Sequence, residues 1–140
     1  MATQDKYDRQ LRMWGSDGQR RLNGSRILCL GISSTGTETI KNLVLPGVGY
    51  FEIVSDRVVT KRDLGNNFFL PPEFVGKSYA SAALETLLEL NPDVSGKATD
   101  MCPKKYFKEN LSGKPCQFSL IICDGLDFVI PTLTRPRARR

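Results

Sequence analysis

The residues most suggestive of chemistry are Gly31-Ile32-Ser33-Ser34-Thr35-Gly36. A nucleotide-binding turn of this kind reads G-x-G-x-x-G between a strand and a helix, and its middle glycine lets the backbone approach a phosphate. Here the middle position is Ser33, whose Cβ crowds that approach. The outer glycines Gly31 and Gly36 still meet the demands of a tight turn and of helix–strand packing. A dinucleotide site also needs an acidic residue at the end of the second strand, to bind ribose hydroxyls. Ser55 holds that position, and Asp56 comes one residue late, which points its side chain to the other face. These residues favour a degenerate nucleotide site over an intact one.

The other reactive side chains are Cys29, Cys102, Cys116 and Cys123. None forms a CxxC pair, and Cys29 and Cys123 sit in apolar runs, so they read as buried free thiols of a reducing compartment. The sequence contains no histidine, which argues against a zinc site; no metal is expected.

These residues need a scaffold, and 140 residues suffice for one domain with its own core. The net charge of +5 would suggest nucleic acid, but Arg135, Arg137, Arg139 and Arg140 crowd the end, and the remainder is nearly balanced. Nucleic acid is therefore not expected as a partner, and the basic residues 129–140 read as a solvated, disordered tail. No apolar run is long enough to span a membrane, and residues 1–6 lack a signal-peptide core. A cytoplasmic or nuclear location follows as an expectation.

Residues 5–24 are polar, interrupted by Leu11, Met13, Trp14 and Leu22, and predict a short helix with loops forming an N-terminal arm over 1–24. Residues 25–31 predict a buried parallel strand ending in glycine. A helical pattern opens at Gly36, with Ile40, Leu43 and Val44 on one face, and stops at Pro46-Gly47. Residues 50–55 predict a second strand and 56–67 a loop. The clearest helix spans 78–90, with Ala82, Leu84, Leu87, Leu88 and Leu90 as its apolar stripe. Residues 94–99 predict a weak third strand, 106–111 a short helix and 118–123 another buried strand. This alternation implies an α/β fold with a Rossmann-like parallel sheet.

Four segments resemble the ubiquitin-like-modifier-activating enzymes. They are Lys6-Tyr7-Asp8-Arg9-Gln10-Leu11-Arg12-Met13-Trp14-Gly15, the glycine turn followed by Lys41-Asn42-Leu43-Val44-Leu45-Pro46-Gly47-Val48-Gly49, Gly65-Asn66-Asn67-Phe68-Phe69-Leu70, and Glu89-Leu90-Asn91-Pro92-Asp93-Val94-Ser95-Gly96. They keep the family's order and spacing over residues 6–96. The resemblance implies a ThiF/MoeB-like adenylation domain over 25–128, incomplete at its C-terminus. Catalytic halves of this family carry G-x-G-G-x-G, a strand-end aspartate, an arginine in the N-R-Q-F loop and a following lysine. Here Ser33, Ser55, Asn66 and Tyr79 stand at those positions. Asn66 cannot supply the charge of an arginine to a phosphate, and Tyr79 cannot replace an ammonium.

The pattern resembles the silent half, and the G-N-N-F-F-L and N-L-V-L-P-G segments are similar to the neddylation branch rather than the sumoylation branch. That resemblance implies a regulatory subunit with no catalytic residue in this chain. Its partner would be the catalytic neddylation-activating subunit, in a heterodimer that handles the Nedd8/Rub modifier. ATP and magnesium would sit in the partner's site, with no cofactor bound here. It also implies that Arg9 reaches into the partner's ATP site, against the plainer alternative of a surface pair with Asp5 or Asp8. Leu11 and Trp14 would anchor the arm, and Asn66, Asn67, Phe68 and Phe69 would shape the heterodimer contact or the local core. Asp127, near the family's magnesium-binding position, reads as residual. The resemblance is expected to end near Phe128. The rivals are a sumoylation counterpart, an active nucleotide-binding enzyme and a truncated form that docks without supporting activity.

Overall fold

A computed structural model describes residues 6–128 of the chain. The elements run α1 (Asp8–Asn23), β1 (Arg26–Leu30), α2 (Ser34–Val44), β2 (Tyr50–Val54), α3 (Lys61–Leu64), a 3-10 turn (Pro72–Phe74), α4 (Tyr79–Glu89), β3 (Ser95–Thr99), α5 (Pro103–Asn110) and β4 (Leu120–Cys123). All strand pairs are parallel and the sheet order is β3-β2-β1-β4. Helices therefore connect the strands as crossovers, as the alternating pattern predicts.

Alternate residues of β1 divide the core between the two faces of the sheet. Ile27 and Cys29 pack on one side with Ile40 and Val44 of α2 and with Ala83 and Leu87 of α4. Leu28 and Leu30 pack on the other with Tyr106 and Phe107 of α5. β1 lies between β2 and β4, in register from Ile27 opposite Leu120 to Leu30 opposite Cys123. The turn after β1 consequently stands beside the ends of both neighbours.

Several local expectations need correction. The stretch 56–67 contains the short helix α3, because the Asp63 carboxylate accepts from the Thr60 N–H and hydroxyl and closes its first turn. Leu90 lies outside the buried stripe of α4, 37% exposed; Tyr79, Ala80, Ala82, Ala83 and Leu87 form the buried face. The last strand is not buried, since β4 has no outer neighbour among the described residues and Leu120 is 46% exposed. For the same reason Cys123 is exposed, as is Cys102; Cys116 is half-buried and Cys29 fully buried. The arginine tail and the extreme N-terminus, including Asp5, lie outside the described residues.

Candidate functional site: the cleft at the carboxyl edge and the arm at the amino edge

In an open parallel sheet, ligands bind beyond the carboxyl ends of the strands. A cleft of about 300 Å³ lies there, its walls including Ser33, Ser55, Asp56, Arg57, Asp124 and Asp127. Gly31 leaves β1 with φ +76°, a conformation suited to glycine. Ser33 caps α2, its hydroxyl oxygen accepting from the Thr35 N–H at 3.2 Å.

The turn already holds an anion from its own chain. Asp124 Oδ2 accepts from the Ser33 N–H at 2.7 Å, the Ser33 hydroxyl at 2.7 Å and the Gly36 N–H at 2.9 Å. The Asp124 N–H donates to the Leu30 carbonyl at 3.0 Å, which pins its backbone beside the end of β1. Three donors of the turn are thus engaged by a carboxylate of the same chain. Ser33, expected only to crowd a phosphate, contributes two of those three bonds.

Arg57 is a second residue that local patterns did not single out. Its guanidinium donates to the Ile32 carbonyl at 2.7 Å and to Asp63 at 2.9 Å, and lies 4.7 Å from the centre of the Tyr79 ring. It ties the glycine turn to the loop that carries α3. Burial pushes the Asp63 carboxyl upward, but the Thr60 bonds and the Arg57 charge outweigh it, and the net shift is down.

Of the degenerate positions, Gly31, Ser33 and Ser55 face the cleft and Gly36 lies beneath Asp124. Asn66 and Tyr79 are not among its walls. Tyr79 is 1% exposed, its hydroxyl accepting from Asn67 at 2.7 Å, and burial raises its pKa. Asn67 also donates to Thr37, and its oxygen accepts from the Phe69 N–H. Asn67 and Phe69 thus belong to the chain's own packing. Asn66 and Phe68 face outward, and Phe68 is 91% exposed. Among the described residues no cluster of three or more Cys, Asp or Glu side chains is placed to hold a metal.

Arg9 lies at the other end of the sheet. Tyr7 is buried, its hydroxyl donating to Asp93 at 3.0 Å and accepting from Asn91 at 3.0 Å. Gln19 donates to the Pro46 carbonyl at 2.8 Å. These contacts fall on the turns that enter β2 and β3, at the amino edge. Trp14 is 42% exposed, with its indole N–H donating to Gln19 at 3.1 Å, and α1 is kinked directly after it at Gly15 (φ 71°, ψ 176°). Asp8 pairs with Arg12 at 2.9 Å, and Arg9 is exposed with no ion pair among the described residues.

The model of the ThiF family matches residues 7–139, past the point near Phe128 where the resemblance was expected to end. The NEDD8-activating enzyme E1 regulatory subunit of Xenopus laevis is 44% identical over 123 residues, 88% of this chain and 23% of that protein. SUMO-activating enzyme subunit 1 of Danio rerio is 42% identical over 93 residues, 66% of this chain and 27% of that protein. The chain therefore spans about a quarter of the length of these relatives. The ATP complex of E. coli tRNA N6-threonylcarbamoyladenosine dehydratase superposes with a TM-score of 0.75 at 19% identity, over 93% of this chain and 52% of that one. At that identity it establishes the fold alone.

Proposed function

The chain belongs to the ThiF family, and from that premise we propose that it acts as the non-catalytic, regulatory half of a heterodimeric enzyme that activates the NEDD8/Rub modifier. In this reading the catalytic partner holds ATP and magnesium, and this chain completes the partner's site. The observation that carries it is the filled glycine turn, a ThiF cleft in which Asp124 occupies the donors a phosphate would use.

The placement of Arg9 supports the same reading. Tyr7 holds the arm at the amino edge, and the two residues from Tyr7 to Arg9 span at most about 7 Å. The five-residue strands between that edge and the cleft are about 16 Å long. Arg9 is thus poorly placed for its own cleft, and it makes no ion pair among the described residues. The relatives named as regulatory subunits of NEDD8 activation support the branch.

Two measurements test the reading. Calorimetry on the isolated chain is expected to find little or no magnesium-dependent ATP binding; low-micromolar binding would overturn it. The chain is expected to co-purify with a catalytic NEDD8-activating subunit in preference to a catalytic SUMO-activating one. The reverse preference would favour the sumoylation counterpart, which the 42% identity to the zebrafish SUMO-activating subunit keeps in play.

A further inference from the structure

We propose that Asp124 is a built-in substitute for phosphate, and the residue that decides this cleft against phosphate-bearing ligands. The inference deepens the reading of a nucleotide-silent cleft and rests on it. A helix start offers an incoming phosphate oxygen its free backbone N–H groups and the positive end of the helix dipole. On this turn the N–H groups of Ser33 and Gly36 both point at Asp124 Oδ2, and the Ser33 hydroxyl adds a third donor. A carboxylate receiving three charge-assisted bonds is strongly held.

The glycines of the turn supply a separate argument. A Cβ at Gly31 would collide with the Asp124 carbonyl oxygen, and a Cβ at Gly36 would collide with its carboxylate. Both glycines are thus required by Asp124 itself, with no phosphate invoked. Serine at position 33 follows the same logic: its hydroxyl serves the carboxylate, where a glycine would leave one donor fewer. A phosphate entering the cleft would have to displace the carboxylate and then lie beside it, and two anions that close repel. The Leu30 bond to the Asp124 N–H keeps the residue next to the turn.

The test is anion rescue on the full 140-residue chain. Wild type, Asp124→Ala and Asp124→Asn are melted in chloride and in millimolar pyrophosphate or formate at equal ionic strength. Asp124→Ala is expected to melt several degrees lower in chloride and to recover in pyrophosphate or formate, with wild type unresponsive. Its pyrophosphate affinity is expected to exceed that of wild type at least tenfold. Asp124→Asn keeps a neutral acceptor for the turn, so it decides the matter should the alanine variant not fold; pyrophosphate is expected to raise its melting point also. If neither variant responds more than wild type, the assignment of Asp124 fails while the silent cleft stands. If wild type itself binds ATP tightly, the silent cleft falls and the inference with it.

Discussion

Among the described residues Arg9 has no ion-pair partner. Asp8 is engaged by Arg12, so Arg9 extends an always-charged planar donor from an anchored arm. Under the proposed role, Arg9→Ala should leave the heterodimer assembled but slow adenylation by the partner. Losing one such contact to transition-state charge costs about 2–4 kcal/mol, roughly a 30- to 1000-fold rate loss. Arg9→Lys should recover part of it. Pyrophosphate exchange on the purified heterodimer measures both, and an unchanged rate would shift attention to Arg12. The cysteines, all expected to be buried free thiols, differ from one another in exposure. Burial pushes the Cys29 thiol up to about 12, with the nearby Asp124 charge adding to it. An aromatic disulfide reagent at pH 8 should therefore modify exposed Cys102 in the folded chain and Cys29 only on unfolding; comparable rates would mean that β1 opens readily.

The elements were largely legible because their signals are local. Apolar runs of five or six residues marked β1 and β2, and Asn91-Pro92 marked the end of α4. The loop 56–67 was less legible, because α3 depends on one side chain doing two things. Asp63 closes the Thr60 turn and receives Arg57. Removing it takes the carboxylate from a half-exposed Arg57 guanidinium and leaves the α3 cap unsatisfied, so Asp63→Ala should cost about 0.5–2 kcal/mol in urea melts near neutral pH. The folded-state pKa of Asp63 is lowered, so its contribution is present above the ordinary value of 3.8 and is lost as pH falls through the folded value. The gap between wild type and variant should thus narrow below that ordinary value; a gap constant down to strong acid would show that the charge of Asp63 is irrelevant. The arm shows a different limit. Leu11 and Trp14 were expected to anchor it; Leu11 is half-buried and Trp14 is 42% exposed with its indole N–H on Gln19, while Tyr7 and Gln19 make polar contacts to the turns before β2 and β3.

At the scale of the whole molecule, the sheet order β3-β2-β1-β4 buries β1 and leaves β4 with no outer neighbour among the described residues. An unpaired edge offers free backbone donors and acceptors for pairing with another chain. The isolated chain is expected to self-associate through this edge as concentration rises. Leu120→Lys, at a position already 46% exposed, should reduce the associated fraction with little change in melting temperature. Sedimentation velocity separates the cases, and equal association by both forms would place the contact elsewhere. The sequence by itself determined the alternation of strands and helices, the absence of the middle glycine in the turn and the polar substitutions at Ser33 and Ser55. Those follow from residue type and from periods of two and 3.6 residues, which are local. Only the tertiary structure decided which residue fills that turn, that Tyr79 belongs to the core, and that Arg9 stands at the opposite edge from its own cleft. The Ser33–Asp124 bond joins residues 91 apart in the chain. It exists because β4 lies against β1, a choice made by long-range sheet pairing that no local pattern encodes.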